Sequence, residues 1–304
     1  MNGKLLLQQA IERLKGFETF VVTNSQVAQE IRKTFRAEKL TVPQFIIEPE
    51  PRDTAAAVGF GIRKALARRR SKSFDWVAVL SADHWMPDSK TSDFHRFLRT
   101  IETEIHRFPH CLFVSGSPAS SKKKQSHSQF GWILPDKKRE SSKVLSYVVK
   151  HFIEKPKGAK LAKVRASNGL INAGMFFGRP ETFLKAYRKF YPRVLSSKCQ
   201  YSKLPKMPID RAIVEKFSNI RVVPQPYRWE DLGTWKDWMD CTREENGIQI
   251  ESKNCYLRSD PEVTIYAFGI QGMAVIQSKT KILVIPVSDT RNLKAYLKKL
   301  EADS

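Results

Sequence analysis

Residues 45–59, Phe-Ile-Ile-Glu-Pro-Glu-Pro-Arg-Asp-Thr-Ala-Ala-Ala-Val-Gly, decide how the rest of the chain is read. Phe45, Ile46 and Ile47 make a short strand-like run that stops at Glu48-Pro49-Glu50-Pro51. Two prolines bar a helix there and hold the backbone extended. Thr54 then reads as an N-cap for an alanine-rich helix over residues 55–69. Strand, rigid loop and capped helix put this loop at the carboxyl end of a strand, where open α/β sheets bind ligands. Free N–H groups at a helix start suit anionic or carbonyl-bearing ligands. By pattern alone, an ordinary strand–loop–helix connection reads equally well.

Working outward, apolar runs alternate with helical patterns over the first two-thirds of the chain. Residues 18–23, 75–80, 111–114, 144–153, 170–177 and 221–223 read as strands. Residues 26–35, 92–107, 158–165, 181–190 and 209–217 read as helices. This alternation predicts an α/β fold with a doubly wound, mostly parallel, Rossmann-like sheet. Residues 120–142 are polar and basic, with Phe130-Gly131-Trp132-Ile133 embedded in them. Beyond about residue 247, short β-runs follow one another with turns between, closed by a helix over 290–300. The expected division is therefore a main domain over 1–245 and a small β-rich region over 246–304.

Composition narrows the class. A hydrophobic fraction of 41% over 304 residues supports a substantial core. No apolar run approaches the roughly 20 residues of a membrane span, and the N-terminus lacks a secretory h-region, so a cytoplasmic protein is expected. Cys111, Cys199, Cys241 and Cys255 form no C-x-x-C pair and the histidines no H-E-x-x-H cluster, which argues against a zinc site. The net charge of +22 would attract nucleic acid, anionic lipid or phosphate-bearing small molecules. Its basic runs (68–70, 122–124, 137–139 and 155–165) read first as solvated loops and helix faces, with polyanion binding as the alternative. No nucleic-acid-binding signature accompanies them.

Asp83, in Val-Ala-Val-Leu-Ser-Ala-Asp-His, is a carboxylate delivered to the end of a buried-type strand. Asp231, in Arg-Trp-Glu-Asp-Leu-Gly-Thr-Trp, follows another short strand. Two carboxylates from separate strands suit one Mg²⁺ that also binds phosphates. Each alone reads more readily as a turn or N-cap residue. Glu154-Lys155-Pro156 ends a strand: Pro156 fixes the loop, and Lys155 is either a point charge for a phosphate or an exposed strand-end charge.

Taken together these segments resemble the mannose-1-phosphate guanylyltransferases, within the sugar-nucleotide pyrophosphorylases. The 48–57 stretch is similar to that family's E-P-x-x-R-N-T-A-P-A loop, with Asp53 for Asn and Ala56 for Pro. An ionised Asp only accepts hydrogen bonds, whereas Asn also donates. Leu-Ser-Ala-Asp-His resembles the family's L-P-A-D-H, and Trp-Glu-Asp-Leu-Gly-Thr-Trp its second metal segment. Glu154-Lys155-Pro156 resembles F-x-E-K-P, Asn172-Ala173-Gly174-Met175-Phe176 resembles N-S/T-G-M/I-F, and Phe130–Ile133 resembles Y-G-Y-I. Pro208-Ile209-Asp210-Arg211-Ala212 is similar to an S-I-D-x-A helix start.

The resemblance implies transfer of a guanylyl group from GTP to mannose 1-phosphate, giving GDP-mannose and pyrophosphate. It assigns Asp83 and Asp231 to Mg²⁺, and Lys155 to the sugar phosphate. Glu154 and Asn172 fall to the sugar, and Arg52, Asp53, Thr54 and Ala55 to the nucleotide. Gly131 is expected to let backbone approach a ligand closely. A homo-oligomer is left open.

One part of the family pattern is absent. The G-G-x-G-T/S-R loop that wraps the triphosphate occurs nowhere in the 304 residues. Residues 1–9 resemble the helix that comes just after it, so a first, central strand is expected to be missing too, leaving unpaired sheet edges. A start placed too far downstream, a truncated gene, or a non-catalytic partner of a catalytic subunit each account for this. The rival readings are thus a homologue that binds nucleotide sugar without turnover, and a polyanion-binding protein on the same fold.

Overall fold

The computed structural model describes residues 4–68, 75–86, 91–119, 127–136, 145–232, 238–239 and 246–302. They divide into two compact units: Ala10–Ala82 with Asp88–Trp229, and Met1–Gln9 with Asp83–Pro87 and Glu230–Ser304.

The larger unit is organised by the strand Leu170–Gly178, whose nine residues are nearly all buried. A near-continuous apolar run of this kind is covered on both faces. In its six-stranded sheet the order is Val77–Val79, Leu170–Gly178, Leu112–Pro118, Ile220–Pro224, Tyr147–Ile153 and Trp132–Pro135. Trp132–Pro135 also reaches back to pair with Leu170–Gly178. The α/β class is as expected, but strand direction is more mixed than the alternation implied. Leu112–Pro118 runs parallel to Ile220–Pro224, while the other pairs in this sheet are antiparallel. Hydrophobic pattern reports burial and not direction, which the long connections determine.

Phe20–Thr23 and Gln44–Ile47 form a separate parallel pair. Among the described residues, Phe20–Thr23 pairs only with Gln44–Ile47, and Val77–Val79 only with Leu170–Gly178. All seven residues of these two edge strands are half-buried. Phe20, Val22, Val77 and Val79 nevertheless pack on one shared core of Ala55, Ala56, Phe60, Phe176, Phe183 and Tyr187.

The helix Asp53–Arg68 begins two residues before the expected start. Gly59 and Gly61 lie within it and let neighbours close in. A Cβ at Gly59 would fall 2.6 Å from both Tyr187 Cε1 and Val194 Cγ1, and one at Gly61 2.8 Å from Val22 Cγ2. The expected helix over 209–217 is instead a single π-helical turn, Asp210–Val214, with the Glu215 N–H donating to the Asp210 carbonyl at 2.8 Å.

The smaller unit is β-rich. His84–Trp85 pairs antiparallel with Glu230–Asp231. Ile248–Ile250 runs parallel to Tyr266–Phe268, and Tyr256–Arg258 to Met273–Ser278. Every parallel register here, including the Lys253–Gln271 bridge, is offset by 18 residues. The chain is therefore wound as a coil of 18-residue rungs around Tyr256, Ala274, Ile276 and Ile285. Positive φ at Glu251, Asn254, Gly269 and Gly272 recurs at the same interval and marks the corners. The unit ends in the helix Leu293–Ala302. No helix among the described residues is long and apolar enough to cross a membrane.

Gly59→Ala should test the packing directly. On an open helix surface this change stabilises by about 0.5–1 kcal/mol. Here overpacking against Tyr187 and Val194 is expected to destabilise by about 1–3 kcal/mol. A lowered urea midpoint at unchanged slope is the expected result, and a raised midpoint would contradict the contact.

Candidate functional site

The loop after the Gln44–Ile47 strand is pinned at successive residues. The Glu48 N–H donates to the Thr23 carbonyl at 2.8 Å, continuing the strand pair. The buried Glu48 carboxylate accepts from Tyr201 Oη at 2.7 Å, and the Tyr201 ring packs edge-on against Phe60. Burial pushes the Glu48 carboxyl above its ordinary range, partly offset by the Tyr201 hydrogen bond. The Arg52 guanidinium closes on Glu50 Oε1, at 2.6 Å from Nη2 and 2.8 Å from Nε.

Asp53 has φ +65°, a left-handed conformation that Asn and Asp adopt more readily than other non-glycine residues. Its Oδ1 accepts from the Thr54 N–H at 2.6 Å. A carboxylate in the first helical turn is also favoured by the helix dipole. Asp in place of the family's Asn thus meets the backbone requirement of the position. Thr54 is not the N-cap expected from the sequence. Its Oγ1 accepts from the Ile209 N–H at 2.9 Å, and the Ala55 N–H donates to the Met207 carbonyl at 3.1 Å. The Ala55 carbonyl accepts from Tyr187 Oη at 2.9 Å.

A second cluster gathers around Asn172 on the central strand. The Asn172 N–H donates to the Gly131 carbonyl at 2.8 Å, which brings the Phe130–Ile133 segment alongside. The buried Asn172 side chain is held at both ends: Oδ1 accepts from the Gly174 N–H at 3.1 Å, and Nδ2 donates to Asp210 Oδ1 at 2.7 Å. A Cβ at Gly131 would fall 2.8 Å from Glu154 Oε2 and 3.0 Å from the Phe152 ring. Gly131 therefore makes room for Glu154 and Phe152, where the sequence suggested room for a ligand. Lys155 has φ +45°, and its exposed ammonium lies 3.5 Å from Glu154 Oε1. Non-glycine residues held at positive φ cost about 1–3 kcal/mol and cluster at functional sites, and both such clusters contain one.

Burial raises the Asp210 carboxyl to about 6, opposed by the Asn172 hydrogen bond and reinforced by the charges of Glu154 and Glu215. Burial followed by the Glu154 charge also raises Glu215. Asp210 and Glu215 were missed as site residues by sequence reasoning. The signal was present only as the Pro208–Ala212 motif, which carries no role by itself.

Asp83 and Asp231 belong to the smaller unit. Asp231 stands opposite His84 in the antiparallel pair, so Asp83 is one residue from the position facing Asp231. Among the described residues no three His, Cys, Asp or Glu side chains converge to hold a metal by themselves. Successive residues of a strand face opposite sides of a sheet, so this register does not by itself bring the Asp83 and Asp231 carboxylates to one ion. Residues 1–3, 69–70, 122–124, 137–139, 233–235 and Cys241 lie outside the described residues.

The sequence profile of the nucleotidyl transferase family matches residues 1–246. The chain is 26% identical over 324 residues to a mannose-1-phosphate guanylyltransferase of Klebsiella pneumoniae, covering 95% of this chain and 65% of that protein. It is 26% identical over 328 residues to mannose-1-phosphate guanylyltransferase 2 of Escherichia coli O157:H7, covering 97% and 66%. The chain thus spans just under two-thirds of the length of these curated relatives. Among solved structures, a mannose-1-phosphate geranyltransferase from Thermus thermophilus superposes with a TM-score of 0.77 at 21% identity, covering 99% of this chain and 90% of that one. A mannose-6-phosphate isomerase from Helicobacter pylori superposes with a TM-score of 0.61 at 20% identity, covering 76% and 93%. At these identities the structural likeness speaks for the fold. By the profile match over most of its length, the chain belongs to the nucleotidyl transferase family.

Proposed function

We propose that this chain transfers a guanylyl group from GTP to mannose 1-phosphate, with residues 1–245 carrying the reaction. The observation that carries the reading is the convergence of Gly131, Glu154, Lys155 and Asn172 from three strands of one sheet. Carboxylate and amide groups there suit sugar hydroxyls, and Lys155 suits a phosphate. The names of the curated relatives support the same substrates.

In the proposed reaction, an oxygen of mannose 1-phosphate attacks the α-phosphorus of GTP. The bond from the α-phosphorus to its bridging oxygen breaks, and pyrophosphate leaves with that electron pair. The attacking phosphate oxygen is already ionised near pH 7, so no general base is required. The work of the protein is then positioning and charge stabilisation. Glu154 and Asn172 orient the sugar, and Lys155 offsets phosphate charge. The loop from Arg52 to Ala55 takes the nucleotide. Asp83 and Asp231 would hold Mg²⁺, which supplies further neutralisation of phosphate charge when bound.

A second reading is nucleotide-sugar binding without turnover. The two separate in one assay. With GTP, mannose 1-phosphate and Mg²⁺, the 304-residue chain is expected to release pyrophosphate. Asp231→Asn is expected to lower the rate by roughly 100-fold, the scale of losing one charge-stabilising group. Folded chain that binds GDP-mannose but releases no pyrophosphate would overturn the catalytic reading in favour of the second. Faster release with UTP than with GTP would correct the base.

A further inference from the structure

The segment Met207–Asp210 touches both clusters within four residues. Met207 accepts from the Ala55 N–H, Ile209 donates to Thr54, and Asp210 accepts from Asn172. We propose that Asp210 is a positioning residue that sets the Asn172 amide for a sugar ligand, on a segment tied to the loop at residues 48–55. This rests on the sugar-nucleotide reading above.

The geometry is specific. An amide anchored through Oδ1 to Gly174 and through Nδ2 to Asp210 cannot turn over without losing both hydrogen bonds. Only one of the two Nδ2 hydrogens is committed to Asp210, which leaves the other for a ligand acceptor. Asp210 opens the π-helical turn, a rare backbone form that recurs at functional sites. A wide turn places the carboxylate on the central strand while the preceding residues stay bonded to Thr54 and Ala55.

Asp210 also titrates in a useful range. Glu154 and Glu215 face it and disfavour its ionised form, as does burial, so its carboxyl is raised to about 6. Lys155 lies beside Glu154, and Arg211 and Lys216 act on Glu215. The hydrogen bond from Asn172 favours ionised Asp210, so Asn172 is held most firmly above pH 6 and loosens as pH falls. The linked effect on stability has the opposite sense. The folded chain holds this proton more tightly than the unfolded chain, so ionised Asp210 costs stability as pH rises through 6. Asp210→Asn is therefore expected to melt at or above the wild-type temperature at pH 8, which serves as its folding control.

The test uses the full 304-residue chain and calorimetric titration with mannose 1-phosphate and with GTP separately. Asp210→Ala is expected to weaken mannose 1-phosphate by about tenfold, the scale of one lost charge-assisted hydrogen bond, with GTP affinity moving less than about twofold. Asp210→Asn keeps an acceptor for Asn172 and is expected to recover most of the loss at pH 8. Wild-type affinity for mannose 1-phosphate should fall more steeply below pH 6 than that of Asp210→Asn, which lacks the Asp210 carboxyl. In ligand-free protein, the Asn172 side-chain amide resonances should shift with a midpoint near 6 and stay still in Asp210→Asn.

Wild-type chain that binds both ligands, with a folded Asp210→Ala unchanged toward mannose 1-phosphate, overturns the positioning role alone. Equal losses toward both ligands also overturn it, because they mark a general structural defect. Wild-type chain that binds neither ligand contradicts the sugar-nucleotide reading itself, and the positioning role falls with it.

Discussion

The helix that starts at Asp53 needs acceptors for its first N–H groups, and Asp53 itself supplies one only to Thr54. The larger unit solves this at long range. The Met207 carbonyl takes the Ala55 N–H, Thr54 Oγ1 takes the Ile209 N–H, and Tyr187 closes on the Ala55 carbonyl. Once residues 207–209 are fixed there, Asp210 is delivered to Asn172 in the middle of the sheet. Tyr187 can reach Ala55 because Gly59 lets its ring lie against the helix. Loop, helix, tyrosine and central strand therefore depend on one set of contacts, and loosening any of them loosens the candidate site.

Local signals account for what could be read from sequence. Prolines after a β-branched run, an alanine-rich stretch after Thr54, and the largely apolar run at 170–177 all act within a few residues. The elements they implied are present. Thr54 shows the limit of such signals. It has the composition of an N-cap, but its acceptor is taken by a residue 155 positions away, and nothing near it in sequence says so. The helix start moves to Asp53 because an Asp tolerates φ +65° and reaches the next N–H.

Other features were hidden for different reasons. The 18-residue coil of the smaller unit is built from strands of only three to six residues, too short for a period-2 pattern to announce a parallel register. Strand direction in the larger sheet depends on how connections cross it, which hydrophobicity does not encode. At Gly131 the close neighbour is Glu154 of the same chain, which nothing near Gly131 in the sequence announces. Within the candidate site, the residues named by motif were legible. Their support through Asp210, Glu215 and Tyr201 was not, because it comes from packing and burial.

Charge is arranged in two scales. The chain as a whole carries +22, a field that draws phosphate-bearing ligands. Around Asn172, by contrast, Glu154, Asp210 and Glu215 place three carboxylates together, which suits hydroxyl donors better than phosphate. Lys155, exposed and held at positive φ beside Glu154, stands where the two regimes meet. In the proposed site one ligand engages both clusters of the larger unit. A crystal structure of the 304-residue chain with GDP-mannose tests this. Mannose hydroxyls are expected on Glu154 and Asn172, with the guanosine against residues 48–55. GDP-mannose bound with its sugar away from Asn172, or its base away from that loop, would contradict it.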